Sequence, residues 1–388
     1  MNDYNDKNYG VSVFETEHKK YRLGYALNSH KIKVENITCI AGPAISLYRI
    51  NLAPGMRMAK VKRLEDDIAI SLGSKGVRVV TLEDAIGIEV ANEQPGVVSL
   101  KTILESPQYV QASEHMELPV ALGTAVPDEP FCFDLANMPH LLIAGASGTG
   151  KTTALNIIIS SLLLRKSPSE VKFLMIDPQK CEFAPYQSLT ELYRADLPYA
   201  NDMIISDTEK AVFALRSLIE EMDARYDLLW KARVRNITAY NSKISAHQLS
   251  PFSGHRYLPY IVVIIDELRD LLLTADRDIE EPLASLAAKA RAVGIHLVVG
   301  TRHPTPDVIT GNFKANFFSR IAFKVNSSVD SNTVLDGPDA NRLIGNGDML
   351  IIGPGFELTR VQGAMIDAPE IERVVNQIYK SDFRRDYS

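Results

Sequence analysis

Residues 145–152 read GASGTGKT, the spacing G-x-x-x-x-G-K-[ST]. Glycines at those positions let the backbone curl so that its N–H groups converge on phosphate oxygens. Lys151 adds a positive charge, and the Thr152 hydroxyl can ligate Mg²⁺. The candidate nucleotide contacts are therefore Gly145, Ala146, Ser147, Gly148, Thr149, Gly150, Lys151, Thr152 and Thr153. A second set is IVVIIDE (261–267), where Asp266 and Glu267 end an apolar run. Beside a phosphate loop, Asp266 is placed to hold the water shell of Mg²⁺ opposite Thr152, and Glu267 to orient and deprotonate an attacking water. A solvated pair of turn carboxylates is the other reading of that dipeptide. Hydrolysis also needs charge stabilisation at the terminal phosphate, commonly an arginine from a neighbouring subunit. Arg291, in KARAVGIH (289–296), is a candidate. An arginine at a helix C-terminus is favourable on dipole grounds too, and spacing leaves both readings open.

These residues need rigid supports. HLLIAG (140–145) precedes the loop and TALNIIISSLLL (153–164) follows it, a strand and a helix whose N-terminal dipole end aims at the same oxygens. VKFLMID (171–177), LPYIVVIID (258–266), GIHLVVGT (294–301) and SRIAFKV (319–325) are further short apolar runs alternating with helical patterns. Continuous apolar strands of this kind imply an α/β fold with a mainly parallel sheet covered on both faces. The clearest helix spans 207–230, with Val212, Leu215, Ile219, Met222, Tyr226 and Leu229 on one stripe. His140 and His296 flank apolar runs and read as core or edge histidines.

Upstream, 37–52 and 77–90 are rich in β-branched residues and bracket a helical pattern at 59–73. The expected organisation is a flexible N-terminus over 1–20, a small α+β domain over 21–110, and the nucleotide-binding domain over 111–388. Composition fits an ordinary globular protein of 388 residues, 46% apolar and 23% charged. Its net charge of −6 excludes a generally basic surface, so any grip on nucleic acid must be local, in a groove or pore. Three cysteines far apart read as buried thiols in a reducing cytoplasm. No apolar stretch reaches the roughly 18 residues of a spanning helix, so no membrane insertion is expected.

The motifs together resemble the FtsK/SpoIIIE family of DNA-translocating ATPases over roughly 20–380. The carrying segments are INLAPGM (50–56), NMPHLLIAGASGTGKT (137–152), FLMIDPQKCEFAPY (173–186), RVRNITAYN (233–241), LPYIVVIIDEL (258–268), the stretch 287–325, and GNGDMLIIGPG (345–355). The resemblance implies a RecA-like P-loop NTPase domain, ATP and Mg²⁺ as cofactors, and a homo-hexameric ring around double-stranded DNA with nucleotide between subunits. It implies that Arg291 reaches a neighbour's phosphate. It also implies a cytoplasmic, motor-only form with neither membrane anchor nor C-terminal winged-helix domain. Other expected cargoes are a secreted protein or conjugative DNA, and a non-enzymatic alternative is a nucleotide-binding scaffold with weakened catalysis.

Several positions depart from the family pattern. Where the family reads ATQRPS, residues 300–305 read GTRHPT, so Arg302 replaces a glutamine implied to sense the γ-phosphate. A glutamine donates and accepts; a guanidinium only donates. Arg302 is thus a candidate catalytic residue taking over the phosphate contact. His303 stands where a pore-facing arginine is usual, Ser328 and Asn332 replace two further basic residues, and Lys314 keeps the third basic position. His303 and Lys314 are the candidate DNA contacts, and a weakened DNA grip is expected. DPQK (177–180) shifts the lysine of the family's DPK by one position.

Overall fold

The computed structural model describes residues 11–385 apart from 127, 199, 201, 276 and 277, with the side chains of 382–385 also left out. Its strands fall into two sheets. The first has four antiparallel strands, β1 (Val34–Ala41), β2 (Ile45–Leu52), β3 (Arg78–Thr81) and β4 (Ile86–Ala91), in the order β1-β2-β4-β3. Leu23, Leu27, Tyr48, Ile50, Val61, Ile68 and Ile88 fill its core. The helical pattern at 59–73 breaks into two helices, Met58–Lys62 and Glu65–Leu72.

The second sheet runs β6-β5-β14-β13-β12-β7-β11-β10-β8-β9. Its strands are β5 (Pro119–Ala125), β6 (Glu129–Asp134), β7 (His140–Ala144), β8 (Val171–Ile176), β9 (Ile204–Ile205), β10 (Tyr260–Ile265), β11 (Ile295–Thr301), β12 (Ser319–Phe323), β13 (Asp348–Gly353) and β14 (Phe356–Gly363). From β12 through β9 every pairing is parallel; from β12 to β6 every pairing is antiparallel. β7, β10 and β11 are buried along their whole length, as parallel strands under helices must be. The expected parallel α/β sheet holds for the half that carries the phosphate loop. The helix expected at 207–230 spans Thr208–Ala232, although Tyr226 sits at its margin and donates its hydroxyl to the Lys289 carbonyl.

Three expectations change. Residues 13–20, expected to be loose, are the first turns of the helix Val13–Ser29, while residues 1–10 lie outside the described residues. Ser12 caps that helix, and buried Glu15 and Lys19 pair on it. Glu15 accepts from the Glu93 amide and Lys19 donates to the Ala91 carbonyl, which fastens a polar segment to the end of β4. The larger core begins before 111, since Val98, Leu100, Ile103 and Tyr109 belong to it. Of the cysteines, Cys181 is exposed and the other two half-buried, where buried thiols were expected.

The two sheets meet at a seam of charge. Buried Arg360 donates to both carboxylate oxygens of Asp348, at 2.9 and 2.8 Å, and to Glu89 and the Gly76 carbonyl of the smaller unit, each at 3.1 Å. Arg342 pairs with Glu65 beside it. Next to Asp348, the Gly347 amide donates to the Thr149 carbonyl at 2.9 Å, so the seam abuts the phosphate loop.

Candidate functional site

Three parallel strands bring the chemistry together. β7 ends at the phosphate loop, β10 ends at Asp266, and β11 lies hydrogen-bonded between them. Gly300 on β11 permits this, because a Cβ there would stand 2.4 Å from the Asp266 carbonyl oxygen. Within the loop, Gly148 and Gly150 have φ of +75° and +126°, which side chains rarely tolerate. The helix Lys151–Arg165 then starts on Gly150.

A cavity of about 690 Å³ opens over this point, in the size range of a small-ligand site. Ala146, Ser147, Gly148, Gly150, Lys151, Thr152 and Thr153 line it, as does Arg302. Gly145 and Thr149 shape the loop from behind. The Gly145 amide donates to the Thr301 carbonyl, and the Thr149 hydroxyl donates to the Ala146 carbonyl at 2.7 Å.

Lys151 is buried and donates to Asp266 Oδ1 at 2.6 Å and to the Asp266 carbonyl at 2.7 Å. Asp266 is fully buried, and its Oδ2 has no hydrogen-bond partner. Arg302 Nη2 stands 3.6 Å from that oxygen. Glu267 is held by three donors: the Thr301 hydroxyl (2.8 Å) and the Arg269 amide (3.3 Å) on Oε1, and the Arg302 amide (2.8 Å) on Oε2. Oε1 thus accepts from two donors and Oε2 from one, which leaves Oε2 capacity for one further donor.

Glu182 completes the cluster, and the sequence reading missed it. It lines the cavity, accepts from the Thr152 hydroxyl at 3.2 Å, and lies 3.4 Å from Arg302 Nη2. Burial, and next the Asp266 charge, push its carboxyl up. Buried Asp177 aims the segment by accepting the Glu182 amide at 2.8 Å. Tyr186 ties it to the phosphate-loop helix through Asn156 at 2.8 Å. Also missed is the far wall, Pro95 to Val98 from the inter-sheet connection and Asn346, Gly347 and Gln362 to Met365 from around β13 and β14. Asn346 and Gly347 belong to GNGDMLIIGPG, but no single motif joins the wall, because three separate chain segments make it.

The donor set suits a hydrated divalent cation. The Thr152 hydroxyl, the unpartnered Asp266 oxygen and Glu182 are hard oxygen groups on one side of Lys151, the class Mg²⁺ prefers.

Arg291 is elsewhere. It is exposed on the short 3₁₀ turn Ala290–Val293, before the first residue of β11. The phosphate loop leaves the opposite ends of these parallel strands. His303 is exposed just past Arg302. Lys314 donates to the Asn332 carbonyl at 3.1 Å and to Asp336 at 2.7 Å, and Arg320 donates to the same Asp336 at 2.7 Å. Burial pushes the Asp336 carboxyl up, but the hydrogen bonds and charges of Lys314 and Arg320 outweigh it and hold the group below its ordinary value. His140 and His296 are core residues. The His296 ring nitrogen lies 3.1 Å from the Pro139 carbonyl, and His140 accepts the Leu297 amide at 3.1 Å.

Comparison with known proteins agrees with this architecture. The FtsK/SpoIIIE family model matches residues 99–306, and the FtsK alpha domain model matches residues 1–92. DNA translocase FtsK of Chlorobaculum tepidum is 42% identical over 366 residues, covering 92% of this chain and 44% of that protein. DNA translocase SftA of Bacillus subtilis is 39% identical over 366 residues, covering 93% of this chain and 37% of that protein. The chain thus spans less than half the length of these relatives. Among solved structures, the pCW3 conjugation coupling protein TcpA with ATPgS superposes with a TM-score of 0.63 at 23% identity, covering 94% of this chain and 99% of that one. The type VII secretion ATPase EccC of Thermomonospora curvata gives 0.59 at 21% identity, covering 73% of this chain and 34% of that one. At such identities the likeness is one of fold. No helix among the described residues is long and apolar enough to cross a membrane.

Proposed function

The chain belongs to the FtsK/SpoIIIE family, and from that premise we propose that it is an ATP-hydrolysing motor, cytoplasmic, that moves double-stranded DNA through a hexameric ring of its own copies. One observation carries the reading. Lys151, Arg302 and Glu182 line a cavity over a glycine-rich loop at a helix N-terminus, with buried Asp266 and Glu267 beside them. That is the equipment for positioning and neutralising a triphosphate, which is most of what phosphoryl transfer asks of a protein. The smaller four-stranded unit and the larger ten-stranded unit are taken as two domains joined near residues 92–98.

In this reading the loop amides and Lys151 hold the β- and γ-phosphates, and the wall formed by Pro95 to Val98 and Gln362 to Met365 contacts the nucleoside. Thr152 and, through water, Asp266 would hold Mg²⁺, whose charge would neutralise the phosphate oxygens. Glu267, immobilised by its three donors, keeps one acceptor site for the attacking water and receives its proton. The new O–P bond forms as the bond to the ADP oxygen breaks. Arg302 faces the equatorial oxygens as charge shifts toward the leaving group. Arg291, at the opposite strand ends, serves the nucleotide of the next subunit, which makes the ring a condition of turnover. His303 and Lys314 contact the DNA backbone.

Steady-state ATP hydrolysis, measured with and without linear double-stranded DNA and with Lys151→Ala as blank, tests this. DNA stimulation lost in the blank supports it. DNA-indifferent turnover points to another cargo, and nucleotide binding without turnover points to a scaffold.

A further inference from the structure

Two departures from the family pattern, far apart in sequence, touch. Arg302 Nη1 donates to Gln179 Oε1 at 3.1 Å. The amide orientation of Gln179 is fixed from its other side, where Nε2 donates to Asp270 at 2.8 Å. Asp270 can only accept, so the carbonyl oxygen of Gln179 must face the guanidinium, which can only donate. Gln179 follows Pro178 where the family's DPK has its lysine, which here stands one position further on as Lys180. Arg302 occupies the position of the family's ATQ glutamine. At these two positions an amide stands for a cation and a cation for an amide.

We propose that Gln179 and Arg302 are one exchanged functional pair, in which Arg302 supplies the cation to the terminal phosphate and Gln179 positions it. This rests on the ATPase reading above. Chemistry at this corner tolerates one cation of the two. A lysine at 179 would set an ammonium against the Arg302 guanidinium at hydrogen-bond distance, driving the arginine away from Asp266 and Glu182. A glutamine at 302 opposite Gln179 would leave Lys151, already paired with Asp266, as the cation facing the three carboxylates Glu182, Asp266 and Glu267. The positions are therefore interdependent, and single changes at either should be worse than both together.

The test uses the full chain with Arg302→Gln, Gln179→Lys, the double variant, and Gln179→Met, which removes the acceptor without adding charge. Two readouts are kcat for ATP and the ratio of ADP to ATPγS dissociation constants in Mg²⁺ buffer; melting curves confirm folding. Arg302→Gln is expected to lower kcat about 10²-fold, the scale of losing one charge-stabilising donor, and to erase the preference for ATPγS. Gln179→Lys should shift both readouts the same way, and Gln179→Met less so. The double variant should recover to within about tenfold of the parent, the signature of coupled neighbours. A double variant as impaired as the product of the singles, or Gln179→Met with an unchanged nucleotide preference, overturns the pairing. A parent chain that binds neither nucleotide overturns the ATPase reading and the pairing together. A parent that binds and hydrolyses while the changes add independently overturns the pairing alone.

Discussion

The nucleotide cavity and the surface around residues 303–336 both set cations against carboxylates, and they differ in cover. At the cavity floor Lys151 and Asp266 are buried, and Arg302 is three-quarters covered, with 24% of its side chain exposed. At the other surface Lys314, itself only 17% exposed, meets an Asp336 whose side chain is 68% exposed, so the difference in cover lies in the carboxylate. Burial makes removal of one partner costly, because the other is left as an uncompensated charge. Exposed pairs contribute roughly 0–1 kcal/mol and exchange readily. The cavity is therefore built to hold one arrangement. Under the proposed function, Asp336 is the exposed partner that a DNA phosphate would displace from Lys314. If the proposed function holds, the cavity supplies fixed chemistry and the Asp336 side an exchangeable grip.

The largest expected effect breaks that contrast at its weakest assumption, that the cavity is incomplete within one subunit. Arg291→Ala should lower DNA-stimulated hydrolysis about 10³-fold, the lower range for a trans-acting arginine, while leaving nucleotide affinity unchanged. Mixing it with Lys151→Ala, inactive through a different part, should restore part of the activity in mixed assemblies. Absence of any recovery on mixing, with both variants folded, would return Arg291 to a surface role.

The buried seam offers the next effect. Arg360→Ala leaves Asp348 buried without its cation and Glu89 with Arg78 alone at 3.6 Å, and equilibrium denaturation should show a loss of about 3–5 kcal/mol. Because Gly347 beside it holds the Thr149 carbonyl, nucleotide affinity should fall as well. Asp336→Asn, removing an exposed partner, should cost less than about 1 kcal/mol. Equal losses would mean that cover does not separate the two classes of pair.

Sequence exposed the parts of the site that lie on consecutive residues. GASGTGKT and the strand ending in Asp266 and Glu267 each carry their chemistry within one local pattern, and the structure places them together through β11. Arg302 was identified through the family resemblance, as a departure from its glutamine, and its phosphate role only by adjacency. Glu182 and the Gln179 contact were not legible, because the partners come from the ends of β8, β10 and β11 and meet only when β10 pairs with both neighbours. The cavity wall at Pro95 to Val98 failed for the same reason. The helix Val13–Ser29 failed differently: its anchoring face includes a buried Glu15–Lys19 pair, and periodicity searches look for apolar residues. Local motifs survive being read in one dimension; partnerships across strand ends do not.

A smaller effect sharpens the exchangeable side. Lys314→Ala should flatten the salt dependence of DNA binding by about 0.9 in log–log slope for each protomer whose lysine meets a phosphate. Asp336→Asn should do the reverse, freeing Lys314 and tightening binding severalfold at low salt. Asparagine suits that position, since residue 336 has φ of +59°. Fluorescence anisotropy on a short duplex across a salt series measures both. If neither change moves the slope, Lys314 does not face DNA.

The smallest effect asks whether cover alone sets electrostatic behaviour, away from any ligand. His140 and His296 lie at the strand ends remote from the phosphate loop, and burial, with smaller effects of His296 on His140 and of Arg291 on both, lowers their pKa values to about 3 and about 4. In the unfolded chain each titrates near 6.5. As pH falls below that value the unfolded state takes up protons and the folded state does not, so their contribution, complete above pH 6.5, declines toward pH 4 by at most about 1.4 kcal/mol per pH unit for each histidine. Urea denaturation between pH 6.5 and 5, above most carboxylate titration, isolates this slope. His296→Gln keeps a donor for the Pro139 carbonyl but cannot protonate, so it should flatten the slope by about half. Parallel slopes for parent and variant would show that His296 is solvated enough to protonate in place. Cover would then be a weaker constraint at that end of the sheet than at the Lys151–Asp266 end.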